Sequence, residues 1–290
     1  MKKRIVQVFA LVLVCAMLMP ITAFADMGPK PSVTVTFTGA EDEIYYATLL
    51  SKRKSTGPAW AYDPNDRDSY QNIRGDQEIW QTFVDYQDAD GYYFLQEFWE
   101  CSQTEEFCWG YYPPSPFKIL VYFPEHDWFV VSPIYERYAF DSYFTVDLSE
   151  WSVGQITAEK SYDYSQEMNS LVARILITIL LEIVLALIWG YRKARLMALI
   201  TGVNVVTQIA LNVALNLSNY WQGHGGLFGL YLMLEFFVFV IEANLYYRVF
   251  PRLSPEHPGL GKRAVWYALA ANVLSFAAGW IVIRTIPGIF

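Results

Sequence analysis

The chain has 290 residues, enough for one or two domains, with 54% apolar residues and a net charge of −8. The acid excess is local: residues 26–168 carry 9 Lys and Arg against 25 Asp and Glu, a net charge of −16. That balance argues against a nucleic-acid partner, which needs a basic surface. Apolar residues crowd the first 25 and the last 120 positions, a distribution that argues against an ordinary soluble domain.

Residues 1–25 read as a secretory signal peptide. Lys2, Lys3 and Arg4 make a basic start, Ile5 to Leu18 an apolar core, and Ala23-Phe24-Ala25 a small-x-small cleavage pattern. An uncleaved anchor is the alternative, and it leaves the next segment on the same side of the membrane. Cys15 lies in the apolar core without a lipid-attachment context. The exported part keeps Cys101 and Cys108. An oxidising compartment predicts a disulfide between them, worth roughly 2–3 kcal/mol. A metal pair is the rival, but no His stands near.

Residues 26–150 are expected to form a β-rich extracytoplasmic domain, sandwich- or meander-like. Residues 32–38 alternate apolar and polar positions with the period of a half-buried strand. A second apolar run covers 43–50. Residues 79–86 and 92–99 flank Asp88-Ala89-Asp90-Gly91, which reads as a hairpin with Gly91 at positive φ. Residues 117–123 and 128–132 flank another turn at 124–127, and 143–148 closes the series. Such short strands with turns between them indicate a sandwich or meander. Residues 151–170 are read as a linker with a short helix starting near Ala158.

Three features of this domain have a second reading. Asp85, Asp88, Asp90 and Glu97 resemble parts of a calcium loop, although aligning Gly91 with the loop glycine puts Tyr86 where an acid belongs. The aromatics Phe98, Trp99, Phe107, Trp109, Tyr111 and Tyr112 would suit a sugar or a partner, or a small core. The acidic loop 63–68 reads as solvated.

Residues 171–290 are expected to form an all-α, four-helix transmembrane domain with spans 171–191, 196–217, 227–247 and 264–283. The connection 192–195 holds Arg192, Lys193 and Arg195, and 248–263 holds Arg248, Arg252, Lys262 and Arg263. The connection 218–226 has no Lys or Arg. The positive-inside rule therefore places the first and third connections in the cytoplasm and both mature termini outside, in a multi-pass protein of the cell membrane. A signal peptide demands the same orientation.

The spans carry a polar cluster: Glu182 in the first, Asn204, Thr207, Gln208 and Asn212 in the second, Glu235 and Glu242 in the third, Asn272 in the fourth. Asn204, Gln208 and Asn212 recur every four residues and share a helix face; so do Glu235 and Glu242, seven apart. A charged acid at the bilayer centre costs roughly 2.5–3.5 kcal/mol on insertion scales. No Lys, Arg or His stands mid-span to pair with the acids. The carboxyls are then protonated and bonded to the amides, or they hold a cation. Interhelical glue and docking onto another membrane subunit are the other readings. Ala271, Ser275 and Gly279 form a small-residue stripe that implies close packing, within the chain or with a partner.

His126, His224 and His257 belong to no metal-binding motif, and the chain has no phosphate-binding loop, dinucleotide fingerprint or nucleophile elbow. No cofactor and no metal are expected, and the reading is non-enzymatic. Residues 135–143 (YERYAFDSY), 204–208 (NVVTQ) and 286–290 (IPGIF) carry a resemblance over nearly the whole chain. On them the chain resembles an uncharacterised family of Gram-positive bacterial membrane proteins with a signal peptide, an extracytoplasmic domain and four transmembrane helices. The resemblance implies that architecture and no particular activity. The expected function is an outer domain that binds or senses a surface ligand or partner, as an accessory subunit of a membrane complex. The alternative is a small transporter or ion-conducting unit built on the intramembrane carboxyls. A cell-envelope enzyme is a third, resting only on the acids and aromatics of the outer domain.

Overall fold

The structure is a computed structural model, describing residues 28–66, 71–73, 75–223, 225–255, 257 and 259–285. The expected signal peptide and the 286–290 motif lie outside the described residues. The N-terminal part is β-rich. Its strands are β1 (Ser32–Thr38), β2 (Tyr46–Ser51), β3 (Ser55–Thr56), β4 (Ala59–Trp60), β5 (Tyr93–Phe94), β6 (Trp99–Glu100), β7 (Glu106–Trp109), β8 (Phe117–Phe123), β9 (Trp128–Val131), β10 (Asp141–Asp147) and β11 (Ala158–Lys160).

Two sheets face one another. One has the order β11-β10-β1-β7, with β1 and β10 parallel. The other has the order β5-β2-β8-β9, with β6 also paired to β2. Alternation along β1 turns Val33, Val35 and Phe37 inward, where they meet Ala47 and Leu49 of β2 and Ile119, Val121 and Phe123 of β8. Every residue of β8 is buried, because its second face is covered as well. Leu120 and Tyr122 on that face pack with Trp80 and Phe83 of a helix, α1 (Gln77–Asp85). The β-rich part thus has two sheets around a shared core and a helix on one flank. The β1–β10 pair rules out a simple meander, since parallel neighbours need a crossover.

Helix α1 corrects the expected strand at 79–86. Asp76 caps it, its carboxylate accepting from the backbone N–H groups of Glu78 and Ile79 at 2.7 and 3.2 Å. Ile79, Trp80, Phe83 and Val84 then fall on one side, and burial of Trp80 and Phe83 contributes roughly 1.5–3 kcal/mol each. The turn at Asp88–Gly91 is present, with Gly91 at φ +71°, but it follows a helix and is no hairpin. The helix expected from Ala158 is instead strand β11, paired with β10.

The expected disulfide is also corrected: Cys101 and Cys108 are both free thiols. Phe107 and Trp109 of β7 point into the core, so alternation sends Cys108 between them outward. Cys101 lies inside the core. Cys108 therefore faces away from the core in which Cys101 lies. Burial pushes the Cys101 thiol up to about 12.

Four long helices follow: α2 (Tyr164–Ile188), α3 (Ala194–Gln222), α4 (Leu227–Leu253) and α5 (Leu260–Thr285). With α1 that makes five helices among the described residues. Segments of α2, α3 and α4 are long and apolar enough to cross a membrane. Helix α5 encloses the expected fourth span. Each long helix packs on its neighbour in sequence, and α2 closes the bundle against α5.

Candidate functional site

The bundle is inverted relative to a water-soluble one. Leu176, Leu180 and Val184 of α2, Val206 and Val213 of α3, Phe237 and Ile241 of α4 and Val273 of α5 are exposed. Glu182, Asn204, Gln208, Asn212, Glu235, Glu242 and Asn272 are buried. An apolar exterior around a polar interior is what a lipid solvent selects.

All eight residues singled out in the spans reach this interior. Asn204, 0% exposed, donates from Nδ2 to the Glu182 carboxylate and to the Ile200 carbonyl, the latter at 3.1 Å. Glu242, also 0% exposed, accepts from the Thr207 hydroxyl at 3.1 Å and from Asn272 Nδ2 at 2.7 Å. Both of its oxygens are thereby satisfied by neutral donors from two other helices. Asn212 donates to the Gln208 carbonyl at 2.8 Å. Glu235 lies one helical turn from Tyr231, and among the described residues its buried Oε2 meets no hydrogen-bond partner. Among the described residues, no three His, Cys, Asp or Glu side chains converge as a metal ion would require.

The order along the helices arranges these groups in layers. Arg174, Asn212 and Tyr231 lie at the end of the bundle that carries the β-rich domain. Glu182, Asn204, Thr207, Glu242 and Asn272 lie deeper. Beyond them Tyr191, Tyr246, Phe250 and Tyr267 close the far end, with ring centroids 4.9–6.1 Å apart. The Tyr267 hydroxyl donates to the Glu182 carbonyl at 3.1 Å, so this aromatic plug is tied to the acid layer.

Sequence reasoning missed Arg174. Its guanidinium is buried and donates from Nη1 to Asn212 Oδ1 at 3.1 Å. The signal was available, since Arg174, Thr178 and Glu182 recur every four residues and match the stripe on α3. The small-residue stripe packs within the chain. The Ser275 hydroxyl donates to that of Thr178 at 3.2 Å, and Gly279 lies against Tyr231.

The β-rich domain is seated on the bundle at the α3–α4 connection. The Phe140 N–H donates to the Tyr220 carbonyl at 2.8 Å, and the Phe140 ring fills the space where Gly223 has no side chain. Gly223 is at φ +70°, and an added Cβ would overlap the ring. Tyr162 packs on Tyr220 with centroids 5.4 Å apart.

In the β-rich domain, two acids of the calcium-like loop, Asp88 and Asp90, are engaged by an ammonium. Lys118 Nζ contacts Asp88 at 2.7 Å and Asp90 at 2.6 Å. Burial pulls the Lys118 ammonium down, but its bonds to both carboxylates outweigh that and hold it above its usual value. The bond from Lys118 holds the Asp90 carboxyl below its usual range. The aromatics divide. Phe98, Phe107 and Trp109 are core, whereas Trp99, Tyr111 and Tyr112 stay exposed, with Lys30 over the two tyrosine rings at 5.5 and 5.4 Å.

Comparison with known proteins returns no match: no family model, no curated protein and no solved structure is similar to this chain.

Proposed function

We propose that this is a two-part membrane protein whose β-rich domain, outside the cell, binds a surface ligand or partner and passes that event to a four-span helical bundle. The observation that carries this reading is the seat of Phe140 on Tyr220 and Gly223. It fixes the outer domain to the connection between α3 and α4, the two helices that supply Asn204, Thr207 and Glu242. The exposed Trp99, Tyr111, Tyr112 and Trp128 offer the aromatic surface such recognition uses. The charge bias of the connections and the signal-like N-terminus support the orientation, and the role of accessory subunit suits connections too short for a catalytic domain. The test is a crosslinked pull-down of the tagged full chain from its native membrane, read by mass spectrometry. A stoichiometric partner or bound envelope component is expected; recovery of the chain alone refutes the reading.

A second reading is favoured by a separate observation. Three carboxyls inside an apolar bundle exceed what gluing helices needs. They would serve a small transporter or ion-conducting unit, with a proton as the species their spacing suits better than a metal ion. Proteoliposomes holding the wild type and the Glu182→Gln, Glu235→Gln and Glu242→Gln variants test this. Proton flux that none of the three changes would sink it.

A further inference from the structure

The β-rich domain has two unlike ends, and its seat on the bundle decides which of them faces the helices. Phe140 precedes β10 and sits on Gly223; Pro29 precedes β1 and lies against Gly225. Strands β1 and β10 are parallel and start at this end, while the antiparallel β7 and β11 finish there. The second sheet is in step with the first. Thr56, beyond the end of β2, donates to the Tyr112 carbonyl at 2.9 Å, and Gly57 lies against the Tyr112 side chain. Ser51 at the end of β2 pairs with Phe117, the first residue of β8.

The seven Lys and Arg among the described residues of this domain all fall at that end. Lys30 precedes β1, and Lys52, Arg53 and Lys54 follow β2, the last three exposed. Lys118 opens β8, Arg137 precedes β10 and Lys160 closes β11. Acids stand beside them, among them Asp88 and Asp90 on Lys118, and Asp63 at 3.8 Å from Lys54. The near end is therefore of mixed charge. The turns at the far end, 39–45, 100–106, 124–127 and 147–150, carry Asp and Glu but no Lys or Arg. An anionic surface repels the far end and draws the near one.

Aromatic residues gather at the same end. Tyr111 and Tyr112 are exposed there, with Lys30 over both rings. At the junction with the bundle, Tyr162 packs on Tyr164 and on Tyr220, with centroids 4.8 and 5.4 Å apart, and Tyr220 packs on Trp221. Tyr164 and Trp221 are exposed, as are Met168 and Leu217 one turn further into the bundle. Tyr and Trp beside cations, above an apolar band, have the composition of a membrane–water interface. The patch is continuous with the apolar exterior of the helices, and that continuity selects lipid as its occupant. We propose that this end of the domain docks on anionic phospholipid headgroups of the bilayer that the bundle spans, with Lys52, Arg53 and Lys54 as the principal cations. The proposal rests on the bundle spanning a bilayer, not on what the domain recognises. Trp99 pairs next to the start of β2 and Trp128 with the end of β8, so both lie towards the far end and stay clear for a partner.

The test embeds the full chain in nanodiscs of phosphatidylcholine, alone or with about 30 mol% phosphatidylglycerol. Amide hydrogen exchange is followed by mass spectrometry. Residues 52–57 and 111–112 are expected to exchange several-fold more slowly with the anionic lipid, while the far turn at 124–127 is unchanged. Each basic residue near a charged surface strengthens the contact about five-fold. The combined Lys52→Gln, Arg53→Gln and Lys54→Gln variant should therefore lose the difference between the two lipids. About 0.5 M NaCl should do the same to the wild type by screening. Equal exchange in the two lipids overturns the proposal, as does equal slowing at 124–127 or protection that the triple variant retains. Should the variant fail to fold, protection in the wild type that salt does not reduce overturns it instead. A pull-down that recovers the chain alone refutes the recognition reading above and leaves this result standing.

Discussion

Replacing Asn272 with Leu tests whether the acid layer is a linked network. Leu fills nearly the same space, but the Glu242 carboxylate loses its 2.7 Å bond while keeping that from Thr207. A buried polar atom left without its donor costs about 1–3 kcal/mol. Interhelical hydrogen bonds in membranes average about 0.6 kcal/mol and reach about 1.7. Asn272→Leu should therefore lower stability by about 1–2 kcal/mol. Glu242→Leu should cost less than that, because it removes the carboxyl whose burial is unfavourable. The Thr207 hydroxyl can turn its proton to the Val203 carbonyl, and Asn272 keeps its bond to Ala268. In the Glu242→Leu background, Asn272→Leu should then be nearly neutral. The assay is SDS-driven unfolding of the full chain in mixed micelles, followed by helical circular dichroism. An equal cost for Asn272→Leu in both backgrounds would mean no coupling and would refute the network.

Four further outcomes follow from the β-rich domain and its seat. Lys118→Met leaves the Asp88 side chain, 1% exposed, without its cation and should cost about 3–5 kcal/mol in thermal or denaturant unfolding; a loss under about 1 kcal/mol contradicts the ion cluster. The same cluster sets a pH dependence. Because the folded Asp90 carboxyl lies low, its contribution is present above about pH 4 and is lost as pH falls further. The raised Lys118 ammonium contributes below about pH 10 and ceases to do so as pH climbs through its folded value. Both slopes should disappear in Lys118→Met. A maleimide should label Cys108 in the folded chain and Cys101 only after unfolding; a pair that resists labelling until a reductant is added would restore the disulfide. Gly223→Val should unseat Phe140 and raise hydrogen exchange at residues 138–143 well above wild type, and unchanged exchange there would show that the seat does not hold the domain.

The polar face of the bundle was legible in the sequence because helical periodicity is local. Residues four apart must share a side, so the Asn204, Gln208 and Asn212 stripe and the Glu235 and Glu242 pair follow from position alone. Alternation likewise marked β1. Which donor meets which acid was not legible. It depends on how the four helices are arranged around the core, and no local signal says that Asn272 faces Glu242 or that Asn204 faces Glu182. Arg174 was passed over because it stands near the boundary of a span, where a basic residue ordinarily reaches water.

The errors in the β-rich domain have the same origin. Residues 79–86 mix β-branched and aromatic side chains that suit a strand, yet the Asp76 cap and the need to cover the second face of β8 make them helical. Spacing alone brought Cys101 and Cys108 within reach. The pleat of β7, set by its pairing with β1, turned one thiol outward while the core kept the other. The sequence by itself therefore determined the periodic faces, the apolar spans and the partition of charge, since each depends on neighbours along the chain. Only the tertiary structure decided the partners across helices, the two-sided burial of β8 and the burial of Arg174. Those are contacts between segments distant in sequence, and packing alone chooses among them.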